Sequence, residues 1–73
     1  MTLLNANQGQ TVSVVGLTAE GLARRRLLDL GFIPGTRVDV VRRSPLGDPV
    51  AYRVRGATIA LRGADAEHVL VAA

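Results

Sequence analysis

The chain lacks cysteine, lysine and tryptophan, and each absence excludes a class of site. Without cysteine there is no disulfide and no thiolate metal site, which fits the reducing cytoplasm. Without lysine there is no phosphate-loop lysine and no Schiff-base chemistry. No apolar run approaches the roughly 20 residues that span a bilayer. Residues 1–7 lack the basic and apolar segments of a signal peptide, so we expect a cytoplasmic protein that reaches a membrane only through a partner.

The 73 residues are expected to form one domain, 1–73, with a thin core and little room for a deep active site. The net charge of +3 is too small to indicate nucleic-acid binding. Proteins that bind single strands also need aromatic stacking platforms, and Phe32 and Tyr52 are the only aromatic residues. Because Tyr52 lies on a predicted inward face, no nucleic-acid partner is expected.

Catalytic patterns are equally scarce. The single histidine, His68, has no serine near it in sequence, so no nucleophile–base pair is evident and we predict no enzyme and no cofactor. His68 joins Asp65 and Glu67 in the only cluster of histidine and carboxylates, which makes these residues weak candidates for metal ligands. Three ligands so close in sequence do not easily converge, and a closed site needs more of them. We therefore predict no metal site.

Alternation of apolar and polar residues predicts about five short strands. Val38 and Val40 share one face of the second strand, and Ile59 and Leu61 point inward from the fourth. The predicted strands are residues 11–14, 36–41, 50–55, 58–62 and 69–71. Proline and glycine predict a loop over residues 44–49, and residues 63–67 are typical of one short helical turn.

One helix is predicted between the first two strands. Thr18 is the expected N-cap, with Glu20 in the first turn. Gly31 stands where a left-handed helix terminus needs a residue without a Cβ, and Phe32 falls where an apolar residue folds back onto the last turn. Pro34 and Gly35 then predict a turn. The apolar face of this helix is predicted to consist of Ala19, Leu22, Ala23, Leu27 and Leu30.

An open sheet of five short strands would leave long unpaired edges. Curling into a small barrel shields those edges, and the helix can cover one end. The predicted fold is therefore mainly β, a small SH3-like β-barrel of about five strands with one α-helix inserted between the first two strands.

An ordered set of motifs from about Gly9 to Val71 resembles the FeoA family. The set comprises Gly21, residues 26–32, Pro34 and Gly35, Val38 and Val40, residues 47–49, Tyr52, Val54, Gly56, residues 60–62, Val69 and Val71. The resemblance implies a small cytosolic accessory protein of bacterial ferrous iron uptake, in a family associated with transition-metal binding. It implies action on the FeoB permease, at its cytosolic GTP-binding portion. A similar domain occurs at the C-terminus of DtxR-type repressors.

Two further functional classes stay open at this point. One is a small regulatory or RNA-binding SH3-like barrel, for which affinity would fall steeply with salt. The other is an iron-sensing domain related to the repressor C-terminal domains, which a metal ion would stabilise against melting. The sequence is also compatible with a homo-oligomer.

A docking surface is predicted around the end of the helix. Helical geometry places Leu28 opposite the predicted apolar stripe, where it would form an exposed apolar patch with Ile33 and Pro34. Arg24 and Arg25 point away from the stripe and are expected to contact an acidic partner surface or lipid head groups. Arg26 is the last candidate for this docking surface, and it lies nearer the apolar face of the helix. It is expected to reach the barrel rim or to pair with Asp29, Asp39 or Asp48.

Overall fold

The structure is a computed structural model that describes all residues 1–73. The chain forms five strands, one α-helix, one four-residue helix and a 3₁₀ turn at Leu3–Asn5. In chain order the elements are β1 (Thr11–Leu17), α1 (Gly21–Asp29), β2 (Arg37–Arg43), β3 (Val50–Val54), β4 (Ala57–Leu61), α2 (Gly63–Ala66) and β5 (Val69–Ala72). Neither helix has the length and apolar character that crossing a bilayer requires.

The five strands form one antiparallel sheet in the order β4-β3-β2-β1-β5. Leu61 of β4 and Val69 of β5 lie on opposite outer strands, yet both belong to the same hydrophobic core. The sheet is therefore curled around that core. Irregularities in pairing between Val14 and Gly16 and between Val40 and Arg42 increase the local bend. The mainly β architecture with a helix between the first two strands confirms the predicted fold class.

The core is entirely hydrophobic, with no buried charged or polar residue apart from the phenol of Tyr52. Tyr52 and Phe32 are its largest fully buried side chains, and inward-facing valines from β1, β2, β3 and β5 surround them. Leu3 is also fully buried, although its surrounding sequence shows no pattern that predicts a core residue. The N-terminal segment thus contributes to the core and covers the outer edge of β5, where the N–H of Val71 donates to the carbonyl of Met1 at 2.9 Å.

The predicted start of the helix was wrong. Thr18 is not the N-cap, because the helix begins at Gly21 and Glu20 occupies the capping position without a side-chain capping bond. The Thr18 hydroxyl instead shares a hydrogen bond of 2.9 Å with Nδ1 of His68, and β1 extends past its predicted end at residue 14 to Leu17. The Thr18 side chain therefore binds His68, which is distant in sequence, and does not cap the helix.

The predicted apolar face of the helix was also wrong in part. Leu27 is the only buried residue of α1, and Ala19 is buried just before it. Leu22 is 84% exposed and Leu30 is 39% exposed. The prediction assumed that the helix packs along its whole length. Most core residues come from the strands, and α1 contributes only Leu27, near its C-terminal end.

Arg43 joins three segments at one end of the barrel. Its half-buried guanidinium donates to the carbonyls of Leu4 at 3.4 Å, Ala6 at 3.2 Å and Gly47 at 3.4 Å. The hydroxyl of Tyr52 donates toward the carbonyl of Leu3 at 3.5 Å, next to this group. These bonds hold the N-terminal segment and the β2–β3 loop together over the core.

Alkaline pH is expected to destabilise the fold through Tyr52. Burial raises the pKa of this phenol above 10.0, Arg43 opposes the rise and Asp48 adds to it. The folded chain thus holds the proton more tightly than the unfolded chain. The stabilisation is complete below the unfolded pKa and is lost as pH rises through the folded pKa. The chain contains no lysine and no cysteine, the other residue types whose ordinary pKa values lie near this range.

The free energy of unfolding should therefore be level up to about pH 10 and fall above it. Urea denaturation at a series of pH values measures this directly. The control is Tyr52→Phe, which has no titrating phenol and should show no decline over the same range. A decline of equal size in both proteins would assign the effect to another group.

Candidate partner-docking site

The C-terminal end of α1 is fixed by a Schellman motif, as the sequence predicts. The N–H of Phe32 donates to the carbonyl of Leu27, and the N–H of Gly31 donates to that of Leu28, both at 3.0 Å. Gly31 adopts a φ of +108°, which residues with a Cβ rarely adopt. Phe32 is fully buried, so the apolar contact of the motif is part of the domain core.

The turn that follows is also as predicted. The N–H of Thr36 donates to the carbonyl of Ile33 at 2.9 Å, and Gly35 has a φ of +94°. This places Pro34 and Gly35 at the centre of a turn that needs glycine at its third position. The N–H of Gly35 donates to the carbonyl of Val14 at 2.7 Å, so β1 holds the turn in place.

We call Leu28, Ile33 and Pro34 together with Arg24, Arg25 and Arg26 the helix-end surface. Ile33 is 37% exposed and Pro34 is exposed. Leu28 is half-buried, so it does not lie fully opposite the core as the helical phase predicted. The buried side of the helix is centred on Leu27, and Leu28, the next residue, is close enough to that side to be half-buried. An apolar surface remains accessible here, on backbone that the Schellman motif and the turn fix.

The three arginines of the helix-end surface are all exposed. Nε of Arg25 lies 3.6 Å from a carboxylate oxygen of Asp29, one helical turn away. Because both side chains are largely exposed, this pair adds little stability. The expected partners of Arg26 are engaged elsewhere. Asp39 accepts the hydroxyl of Thr11 at 2.7 Å, and Asp48 accepts the N–H of Gly63 at 2.7 Å.

Leu22 is a further exposed residue of α1. Helical spacing predicts it on the apolar face, but it is 84% exposed. A signal in the sequence could have found it, because Arg25, Arg26 and Asp29 follow it at spacings of three, four and seven residues. Those spacings place all four residues on one helix face, and that face is predominantly charged.

The weak metal candidates do not come together. Nδ1 of His68 is bonded to Thr18, and its Nε2 lies 4.0 Å from a carboxylate oxygen of Glu67. Asp65 belongs to α2, and no three histidine, cysteine, aspartate or glutamate side chains are arranged to hold a metal ion. The two aromatic residues, Phe32 and Tyr52, are fully buried, so neither offers a stacking platform for a nucleic-acid base.

Comparison with known proteins gives a consistent result. The family model described as the FeoA domain matches residues 1–73. The chain is 35% identical over 71 residues to the Fe(2+) transport protein A/Fe(2+) transporter FeoB fusion protein of Porphyromonas gingivalis. The match covers 97% of this chain but only 8% of the fusion protein.

Solved structures of similar proteins have the same fold. The solution structure of the FeoA protein from Chlorobium tepidum has 37% identity and a TM-score of 0.89, over 97% of this chain and 68% of that one. The zinc complex of FeoA from Stenotrophomonas maltophilia, described as a prokaryotic SH3 domain protein, has 32% identity and a TM-score of 0.83, over 99% and 89%. A manganese-dependent transcriptional repressor shares the fold at 20% identity, a TM-score of 0.84 and 94% and 39% coverage.

Proposed function

The chain belongs to the FeoA domain family, and from this we propose that it is a cytoplasmic accessory protein of ferrous iron uptake that docks on a FeoB-type permease. The fusion protein supports this proposal, because it joins Fe(2+) transport protein A and the Fe(2+) transporter FeoB in one polypeptide. We place the docking contact on the cytosolic, GTP-binding portion of the permease. The chain acts there by binding and carries out no chemistry of its own.

The observation that carries this proposal is the helix-end surface. Ile33 and Pro34 expose apolar side chains shortly after half-buried Leu28 in the chain, and three exposed arginines precede them in α1. Apolar contacts at the centre of an interface supply most of the binding energy, and charges at its rim raise the rate of encounter. The arginines therefore favour a partner whose surface is acidic.

Rigidity suits this surface for docking. The Schellman bonds at Gly31 and Phe32 and the turn anchored to Val14 fix the backbone that presents Ile33 and Pro34. Binding to a preformed surface costs less conformational entropy than binding that orders a loop. Because less entropy is lost, Ile33 and Pro34 can support binding even though the apolar area that they expose is modest.

Binding to the permease should weaken when the helix-end surface becomes charged. For the double variant Leu28→Glu/Ile33→Glu, we expect at least a roughly tenfold loss of affinity, because buried carboxylates would replace apolar contacts at the interface. Titration calorimetry with the purified cytosolic portion of a FeoB-type permease measures it. The melting temperature of the variant is recorded alongside, since Leu28 is half-buried.

The matched control is Val41→Glu/Leu46→Glu. Val41 is 41% exposed and Leu46 is 95% exposed, and both lie outside the helix-end surface. This variant adds the same two charges and should bind within about twofold of the unmodified chain. Equal affinities for the two double variants would remove the proposed surface and leave the family assignment unchanged.

A further inference from the structure

The two outer strands of the sheet, β4 and β5, differ in whether another segment of the chain covers their outer edge. The outer edge of β5 is covered by the N-terminal segment, through a bridge between Thr2 and Leu70 and the bond from Val71 to Met1. The outer edge of β4 has no such cover, because β4 pairs with β3 alone. One edge of the sheet is therefore open to an additional strand.

The direction of the free backbone groups on β4 follows from its hairpin. Arg55 and Gly56 form a two-residue loop with φ values of +53° and +81°, which makes Val54 and Ala57 a hydrogen-bonded pair. Pairs alternate along the ladder, so the N–H and C=O groups of Thr58 and Ala60 point away from β3. These groups are available to a sixth strand.

The sequence of β4 does not protect this edge. Residues 57–61 contain no charge and no proline, the two devices that most often prevent pairing with another chain. Exposed arginines stand on both sides of the strand, Arg55 before it and Arg62 after it. An incoming strand would therefore meet a neutral ladder between two positive charges.

A trough on the outer face of the sheet leads inward from this edge. Arg42, Ala51 and Ala60 lie side by side on β2, β3 and β4, and the pairing irregularity at Val41 gives them this alignment. A cavity of about 200 Å³ lies over them. Its lining, which we call the edge trough, is Arg42, Ser44, Pro45, Pro49, Ala51 and Ala60.

The edge trough is suited to a side chain with an apolar stem and an acidic end. Neighbouring strands are about 4.8 Å apart, so a residue opposite Ala60 on a sixth strand would lie roughly 14 Å from the backbone of Arg42. The two alanines between them leave room for both side chains to meet. The guanidinium of Arg42, which lines the trough, is the cation that such a carboxylate would meet.

Charge decides what kind of chain fits. None of the arginines around this edge forms a salt bridge; they are Arg42, Arg53, Arg55 and Arg62. Two copies of this chain paired through β4, with Thr58 opposite Ala60, would set Arg62 of each copy beside Arg55 of the other. That juxtaposition of like charges occurs twice and opposes self-pairing.

We propose that the open edge of β4 binds an extended acidic segment of another protein as a sixth strand. Backbone hydrogen bonds to Thr58 and Ala60 give affinity. A glutamate opposite Ala60 lies in the edge trough, with its carboxylate at Arg42. The surface consists of other residues than the helix-end surface, so it is a second interaction site on the same domain.

A fluorescein-labelled nine-residue peptide of alternating glutamate and valine is the probe, and fluorescence anisotropy measures its binding. Ala60→Pro removes only an N–H that faces the open edge, so it keeps the internal ladder and should weaken binding at least roughly tenfold. Arg42→Gln should weaken it about fivefold. The control Arg37→Gln removes the same charge from the start of β2, outside both proposed surfaces, and should change binding less than about twofold.

Amide hydrogen exchange on the unmodified chain tests the register without relying on a variant. Peptide at saturation should slow the exchange of the Thr58 and Ala60 amides. The proposal is overturned if these amides are unaffected, if a peptide of alternating arginine and valine binds equally well, or if no binding occurs at millimolar concentration. A concentration-dependent dimer that Ala60→Pro abolishes, seen by sedimentation equilibrium, would identify a second copy as the occupant and also overturn it.

Discussion

Phe32→Ala is expected to lower the free energy of unfolding by about 3–5 kcal/mol, the usual cost of removing a buried aromatic ring. Phe32 is fully buried and is one of the two largest side chains in the core. A domain of 73 residues has only roughly 4–11 kcal/mol of stability in total. The loss therefore takes a large share of the stability that holds α1 on the barrel.

Urea denaturation followed by circular dichroism measures this loss. Phe32→Leu keeps most of the buried apolar volume and should cost about 1–2 kcal/mol. Leu46→Ala truncates a side chain that is 95% exposed and should change stability by less than about 0.5 kcal/mol. If Phe32→Ala cost no more than Leu46→Ala, Phe32 would not be part of the core and the helix end would not be anchored as described.

Gly31→Ala is expected to be the second most damaging change, with a loss of about 2–4 kcal/mol. Two causes add. A φ of +108° strains any residue that has a Cβ, and a Cβ at this position would lie 3.0 Å from a methyl carbon of Val54. Val54 is buried, so it cannot easily move aside.

Gly35→Ala separates these two causes. Gly35 has a similar φ of +94°, but nothing lies within 4 Å of the Cβ position. This variant should show the backbone strain alone, about 1–2 kcal/mol. The difference between the two variants, measured by the same urea denaturation, is the cost of the collision with Val54. Equal losses would show that the close approach of the helix end to β3 has no energetic weight.

Local chemistry explains why much of the fold could be predicted. Gly31 and Phe32 end the helix, and Pro34 with Gly35 makes the turn, through bonds between residues at most five apart in sequence. Strand alternation correctly placed Val38, Val40 and Tyr52 in the core. These features depend on neighbours in the chain, so the pattern of residue types is sufficient to predict them.

Features that depend on distant partners could not be predicted in this way. Leu3 is buried because its segment lies across β5, and Thr18 leaves the helix cap because His68 is 50 residues away in sequence but within hydrogen-bond distance. Arg43 resembles any surface arginine until the fold brings the carbonyls of Leu4 and Ala6 to it. No periodicity in the sequence encodes these contacts.

The candidate site shows the same division. Residue types alone predicted an exposed apolar group at Ile33 and Pro34, and these residues are exposed in the structure. The exposure of Leu22 and the partial burial of Leu28 depend on how the helix is rotated against the barrel. Helical periodicity gives relative positions around the axis, but the direction of the core comes from the tertiary structure.

An NMR footprint tests most directly whether this domain acts by docking through its helix-end surface. The ¹⁵N-labelled chain is titrated with the unlabelled cytosolic portion of a FeoB-type permease, and amide shifts are followed to saturation. The largest changes should fall on residues 22–36, with β4 little affected. Changes confined to β4, or unaltered spectra at saturating concentrations of the permease fragment, would contradict docking through this surface.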